Sequence, residues 1–285
     1  MATIIEASNL SKRYGSFVAL DQVNFSLQPG RIVGLIGRNG AGKTTLLKTI
    51  LGLTPYQGNM QVLGMEPERD RNALMTQVCF IADSAVLPRW LSVAHAIDYV
   101  AGVHPRFDRK RAEEVLATTS IRRSSRIGEL SKGMVTQLHL ALILAIDARL
   151  LVLDEPTLGL DLIYRRQFYD TLLNDYFDKD RTILLTTHQV EEGENLLTDV
   201  LFIDRGKVVL DLAVDDMAQR FQQLTVSPDK IEAARALNPF YARELFGRTI
   251  MLYENRSPET LAGLGELRTP GIADLFVAKM QVAAS

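Results

Sequence analysis

Gly37-Arg38-Asn39-Gly40-Ala41-Gly42-Lys43-Thr44 satisfies the spacing G-x-x-x-x-G-K-[ST]. Each residue type has a physical reason to be there. Glycines let backbone N–H groups turn inward and close on phosphate oxygens. A helix starting at Thr44 aims the positive end of its dipole at the same anion. The Lys43 ammonium neutralises charge on β- and γ-phosphates, and the Thr44 hydroxyl ligates Mg²⁺. The whole cradle for an ATP·Mg²⁺ phosphate chain runs from Gly37 to Thr45. Chance alone gives such a string in about one chain in a hundred. The apolar run before it and the helical spacing after it make chance a poor account here.

A second set of chemical groups lies further on. Leu150-Leu151-Val152-Leu153-Asp154-Glu155 is an apolar strand that delivers two acids at its C-terminal end. Open α/β sheets bind ligands at that edge. Asp154 suits the shell of a Mg²⁺ ion, directly or through water. Glu155 is placed to accept a proton from an attacking water. Two acids before Pro156 could equally cap a strand; the phosphate loop is what favours the chemical reading.

The elements that must position these groups can be read from hydrophobic pattern. Ile4–Ala7, Phe17–Leu20 and Val23–Leu27 read as antiparallel strands punctuated by Gly15 and Pro29-Gly30. Arg31–Ile36 and Thr182–Leu185 are short apolar runs of the buried parallel kind. Gln77–Ile81 is another strand. Thr44–Gly52, Ser131–Ile146, Ile163–Phe177 and much of 93–127 carry helical spacing. Strand, helix and strand in this order imply βαβ units. The expected fold is an α/β P-loop NTPase: a parallel core sheet, an antiparallel β-subdomain and a helical subdomain. The expected division is a nucleotide-binding domain over 1–215, with its helical subdomain at about 85–148. A small C-terminal α/β unit over 216–285 would follow, its texture compatible with a split βαβ fold.

A phosphate loop and an acid pair describe many NTPases. Leu130-Ser131-Lys132-Gly133-Met134, just before the helix that leads into the carboxylate strand, resembles the LSGGQ signature of ABC ATPases, with Lys132 and Met134 as departures. Gly159-Leu160-Asp161 resembles that family's D-loop. His188 looks like its switch histidine, and Tyr14 stands where its adenine-stacking aromatic belongs. The matches keep the family's order over residues 3 to about 212.

The resemblance implies a head-to-tail dimer. Each ATP would sit between Lys43 of one subunit and Ser131, Lys132 and Gly133 of the other, with Asp161 at the dimer interface and His188 on the γ-phosphate. Asp83 falls where the family has a glutamine that senses Mg²⁺ and the attacking water. It is shorter by one methylene and charged, so a weaker or water-mediated metal contact is expected. The plain alternatives are a strand-surface Tyr14, a strand-capping His188 and a helix-capping Asp161. The stretch Val86–Leu91 with Trp90 is either core or a surface for a membrane partner.

Within the family, a DNA-repair or chromosome type needs long coiled coils between the phosphate loop and the signature, and none lies between Thr45 and Leu130. A fused translation factor needs a second phosphate loop. A kinase or GTPase leaves Leu130–Met134 and His188 unexplained. The resemblance therefore implies an ATPase that serves as motor of a membrane transporter, paired with a second ATPase subunit, identical or related. A soluble non-transport ABC ATPase is the alternative. Thr269–Phe276 resembles the tail of bacterial ABC-2-type exporter ATPases, which points to export.

Bulk properties agree. A formal net charge of -2 argues against nucleic-acid coating. One cysteine, Cys79, excludes an internal disulfide and fits a reducing compartment. The N-terminus has no secretory pattern. The most apolar stretch, Leu138–Leu153, is broken by Asp147 and Arg149 and is too short to span a bilayer. A separate permease would have to hold the chain at the cytoplasmic face of the cell membrane.

Overall fold

The computed structural model describes residues 3–82, 87–158, 160–178, 180–187 and 194–282, without the side chains of Asp175 and Asn195. The first part runs β1 (Ile5–Tyr14), β2 (Phe17–Leu27), β3 (Ile32–Ile36), α1 (Lys43–Ile50), β4 (Gln57–Val62), α2 (Arg71–Met75) and β5 (Val78–Ile81). Then come α3 (Val93–Val103), α4 (Arg109–Ala117), α5 (Lys132–Leu144), β6 (Leu150–Asp154), α6 (Leu162–Thr171) and β7 (Thr182–Thr187). The chain continues through β8 (Asp199–Asp204), β9 (Lys207–Ala213), α7 (Met217–Arg220), β10 (Phe221–Val226), α8 (Ile231–Arg235) and β11 (Tyr241–Leu245). It closes with β12 (Arg248–Glu254), α9 (Pro258–Leu261), β13 (Gly265–Arg268) and α10 (Ile272–Val282).

Three sheets form. The central one has the order β5-β6-β7-β3-β8-β9, parallel except for the antiparallel edge pair β8–β9. Its inner strands are apolar on both faces, as parallel strands covered on both sides must be. Ile32, Leu151, Leu153, Ile183, Leu185 and Phe202 enter one core, and Val33, Leu35, Val152, Leu184 and Ile203 enter the other. Alternation at period two sends neighbours to opposite faces. The second core is shared with α1 and with the antiparallel sheet β2-β1-β4. The third core holds α3, α4 and the middle of α5. Ser92, Asp108, Ser131 and Asp161 each cap the N-terminus of a following helix. Cys79 is buried, and burial pushes its thiol up to about 12, so it stays protonated at neutral pH.

The last sheet has the order β11-β12-β10-β13, and every pairing is antiparallel. β10 and β11 therefore run parallel with β12 between them and α8 in their connection, which is a split βαβ unit. Its own small core includes Leu224, Met251 and Tyr253. The closing helix α10 bridges this sheet and the central one. Ile272, Leu275 and Met280 enter the core of the central sheet, and Phe276 meets Phe202 edge to face with ring centroids 5.3 Å apart. Side chains like these contribute about 1.5–3 kcal/mol each when fully buried. The Glu194 carboxylate accepts from the backbone N–H of Ile272 and so caps α10. Asp274 then pairs with Arg243 at 2.9 Å and Arg268 at 3.3 Å, while Lys279 meets Glu254 at 2.7 Å. Among the described residues no helix is long and apolar enough to cross a membrane.

Candidate phosphate-binding site

β3 leaves the sheet at Ile36 and turns through Gly37–Gly42 into α1. Glycine is needed at two of these positions for different reasons. At Gly37 a Cβ would lie 2.6 Å from the Ile203 carbonyl oxygen. Gly42 has φ 113°, and its Cβ would meet the Ala19 carbonyl oxygen at 2.7 Å. The loop is thus wedged between β2 and β8. Arg38, Asn39 and Gly40 are exposed at its crest, and Ala41 is buried.

Lys43 opens α1 with a buried side chain. Its ammonium donates to the Gly37 carbonyl at 2.7 Å and stands 3.4 Å from Glu155 Oε1. Buried charge needs such partners. Thr44 Oγ1 donates to Asp154 Oδ2 at 3.0 Å. The two segments predicted to share one phosphate site are therefore in direct contact. With Phe17, Ala19 and Leu158 they wall a cleft of about 550 Å³.

β6 ends at Asp154, directly beside Thr186 of β7 in the parallel register. The Thr186 hydroxyl donates to Asp154 Oδ1 at 2.7 Å and accepts from the Glu155 backbone N–H at 2.8 Å. One buried hydroxyl thus orients the metal-type carboxylate and the peptide of the candidate base. Sequence reasoning passed over Thr186; its only signal is a polar pair closing an apolar strand. Glu155 has φ 49°, a left-handed conformation uncommon for a long side chain. Such strain is stored at functional sites at about 1–3 kcal/mol.

Behind this turn Tyr169 Oη lies 3.3 Å from Thr157 Oγ1. Burial raises the phenol above its ordinary range, the Thr157 bond and Arg165 oppose that, and Glu155 adds to it. Tyr169 stays a neutral hydrogen-bonding group at pH 7. The buried Arg165 donates to the Leu160 carbonyl at 3.0 Å.

Thr186→Val keeps shape and removes the hydroxyl. We expect turnover of ATP to fall about 10–100-fold, as when an outer-shell partner of a metal ligand is lost, and folding stability to fall by about 1–3 kcal/mol. Thr186→Ser should restore most of both. Phosphate release together with a thermal melt checks this, and a folded Val variant with undiminished turnover would refute the role.

The other predicted residues are placed as follows. Tyr14 and Phe17 face each other across the β1–β2 turn, and Phe17 is the one lining the cleft. Tyr14 is 47% exposed, with the Lys12 ammonium 4.8 Å from its ring centroid. The family resemblance points to Tyr14 and not to Phe17, because two aromatics flanking one turn look alike in sequence. Ser131 caps α5, its hydroxyl accepting from Met134 N at 3.2 Å. Lys132 is exposed and Gly133 is buried. None of the three lines the phosphate cleft of its own chain. Met134 packs into the helical core. Asp161 caps α6, accepting from Ile163 N and Tyr164 N, both at 3.0 Å. Asp83, Gly159 and His188 lie outside the described residues.

No metal site complete in itself is formed: among the described residues no three His, Cys, Asp or Glu side chains converge. One threonine hydroxyl and one carboxylate fit a Mg²⁺ ion whose remaining ligands are phosphate oxygens and water.

Comparison with known proteins agrees with this geometry. The family model described as ABC transporter matches residues 20–158. The Nod factor export ATP-binding protein I of Cupriavidus metallidurans is 32% identical over 276 residues, covering 93% of this chain and 90% of that protein. The probable multidrug ABC transporter ATP-binding protein YbhF of Escherichia coli is 34% identical over 222 residues. That match covers 75% of this chain and 38% of YbhF, so this chain spans well under half of that relative's length. A solved ATP binding subunit of an ABC transporter superposes with a TM-score of 0.68 at 27% identity, covering 75% of this chain and 92% of that one. With the phosphate loop, the carboxylate strand and the capped signature helix in one α/β frame, the chain belongs to the family of ABC transporter ATP-binding proteins.

Proposed function

We propose that this chain is the ATP-hydrolysing motor subunit of a membrane exporter. It works at the cytoplasmic face of the cell membrane and drives a separate multi-spanning permease. The observation that carries the reading is the cleft in which Lys43, Thr44, Asp154 and Glu155 converge while Ser131, Lys132 and Gly133 stay outside it. The signature residues implied by the family resemblance thus do not line their own chain's cleft. A second ATPase subunit, identical or related, supplies them head to tail. Residues 1–215 form the nucleotide-binding part and 216–285 the appended part, rooted through α10. The name of one relative, Nod factor export ATP-binding protein I, supports the direction.

ATP lies with its phosphates on Gly37–Thr45 and its base against Tyr14, with Phe17 forming the cleft wall beside it. Thr44 and Asp154 would hold Mg²⁺, which would supply neutralisation of the charge that develops on the phosphates; Asp83 would make a weaker or water-mediated contact with it. Lys43 exchanges its contact with Glu155 for the phosphates. Glu155 orients water and takes its proton. His188 steadies the γ-phosphate, and the partner's signature helix presents its capped N-terminus to the same group. Asp161 contacts the partner across the interface.

The test is recovery of the tagged full chain from detergent-solubilised membranes of its host, with bound proteins identified by mass spectrometry. A stoichiometric multi-spanning partner is expected. Recovery only with soluble partners would refute the transport reading and leave the ATP chemistry standing.

A further inference from the structure

Tyr164, in the first turn of α6, joins the two motifs that lie outside the phosphate cleft. Its backbone N–H donates to Asp161 Oδ1 at 3.0 Å. Its ring lies against the bare face of Gly133. A methyl built on Gly133 would fall 2.5, 2.6 and 2.7 Å from Cζ, Cε1 and Cε2 of that ring. Such distances are closer than carbon atoms approach. A side chain at 133 would therefore have to displace this ring.

The setting gives this contact leverage. The C-terminal half of α5 is fixed, because Leu140, Ile143 and Leu144 sit in the core of the central sheet. The N-terminal half packs Met134 and Val135 against the helical core on one side and borders open space on another. A cavity of about 570 Å³ has Lys132, Thr136 and His139 on the helix side and Glu155, Pro156 and Leu158 on the other. At the Ser131 end, the Tyr164 ring reaches the helix from α6 at Gly133. Contact is made by the far end of the ring, so a shorter side chain cannot replace it.

We propose that Tyr164 is a positioning residue for ATP turnover, its ring setting the separation between the Ser131 end of α5 and the Asp161 end of α6. This rests on the reading given above, in which Ser131 and Asp161 face a second copy's nucleotide. The ring then fixes the spacing at which both groups arrive. A misplacement of about 1 Å in such a constellation costs on the order of 10²-fold in rate.

The experiment uses the full chain and two separate readouts. Fluorescent-nucleotide binding at dilution reports the chain's own phosphate cleft; kcat at saturating ATP reports the assembled pair. Tyr164→Ala is expected to lower kcat at least about tenfold and to leave affinity in the dilute chain within about twofold. Tyr164→Phe keeps Cζ and should retain wild-type values for both. Tyr164→Leu keeps apolar bulk on α6 without the reach, and should behave as Tyr164→Ala does. If Tyr164→Ala fails to fold in a thermal melt, the Leu variant decides alone. Wild-type kcat in a folded Ala or Leu variant overturns the proposal, as does equal loss in the Phe variant. Ser131→Arg separates the two layers of inference. If it turns over like wild type, the partner-facing reading is wrong and the proposal falls with it. If it is inactive while Tyr164→Ala is not, only the role of Tyr164 is lost.

Discussion

Glu155→Gln is expected to lose turnover by about 10³-fold while binding ATP at least as well as wild type. Loss of a positioned general base costs about 10²–10⁴-fold. The amide has nearly the same size and can occupy the same left-handed turn, φ 49°, with its N–H still on Thr186. It cannot take a proton from water. It also removes a negative charge 3.4 Å from the Lys43 ammonium, which leaves that cation more available to phosphate. Unhydrolysed ATP should then hold the chain as a dimer. Single-turnover phosphate release and gel filtration with ATP measure the two effects. Wild-type release in the Gln variant would remove Glu155 as the base.

Lys43→Ala should act on the other half of the reaction, weakening ATP affinity by about 100-fold or more and turnover with it. Lys43 is 7% exposed and lines the cleft proposed to hold the phosphates. Each hydrogen bond to a charged group is worth about 1.5–3 kcal/mol, and two such bonds to phosphate exceed a hundredfold in binding. The contrast between the variants is the informative part: Glu155→Gln splits binding from chemistry, whereas Lys43→Ala lowers both. Titration with a fluorescent ATP analogue checks it. Affinity within threefold of wild type would show that the backbone cradle of Gly37–Gly42 carries the phosphates without Lys43.

What could be read before folding was local in sequence. The runs Ile32–Ile36 and Leu150–Leu153 announce buried parallel strands because both faces are covered. The loop and the acid pair are then fixed to the ends of those strands. The strand β4 was not legible. Its Gln-Gly-Asn-Met-Gln-Val buries only Met60 and Val62 at the edge of its sheet, so no apolar run marks it. Thr186 was not legible because its role depends on register: only the pairing Asp154↔Thr186 brings the hydroxyl to the carboxylate. Phe17 and Tyr14 are equivalent until the hairpin fixes which ring faces the cleft. Gly133 read as an approach point for a partner's phosphate, and its contact with Tyr164 spans two helices. The sequence of the closing helix carries no mark of the central-sheet core that its Ile272, Leu275 and Met280 enter.

That last arrangement bears on how the protein is made. Chains emerge N-terminus first, at about 5–20 residues per second, and domains usually finish in that order. Here the core of the central sheet receives Ile272, Leu275 and Met280 from the final helix. On the order of ten seconds of synthesis separates β6 from that helix. During this interval Phe202 has no Phe276 over it, and the nascent chain carries an open apolar face beside a complete phosphate loop. Such a face is a target for chaperones and for aggregation. The catalytic half of this molecule is written early and sealed last.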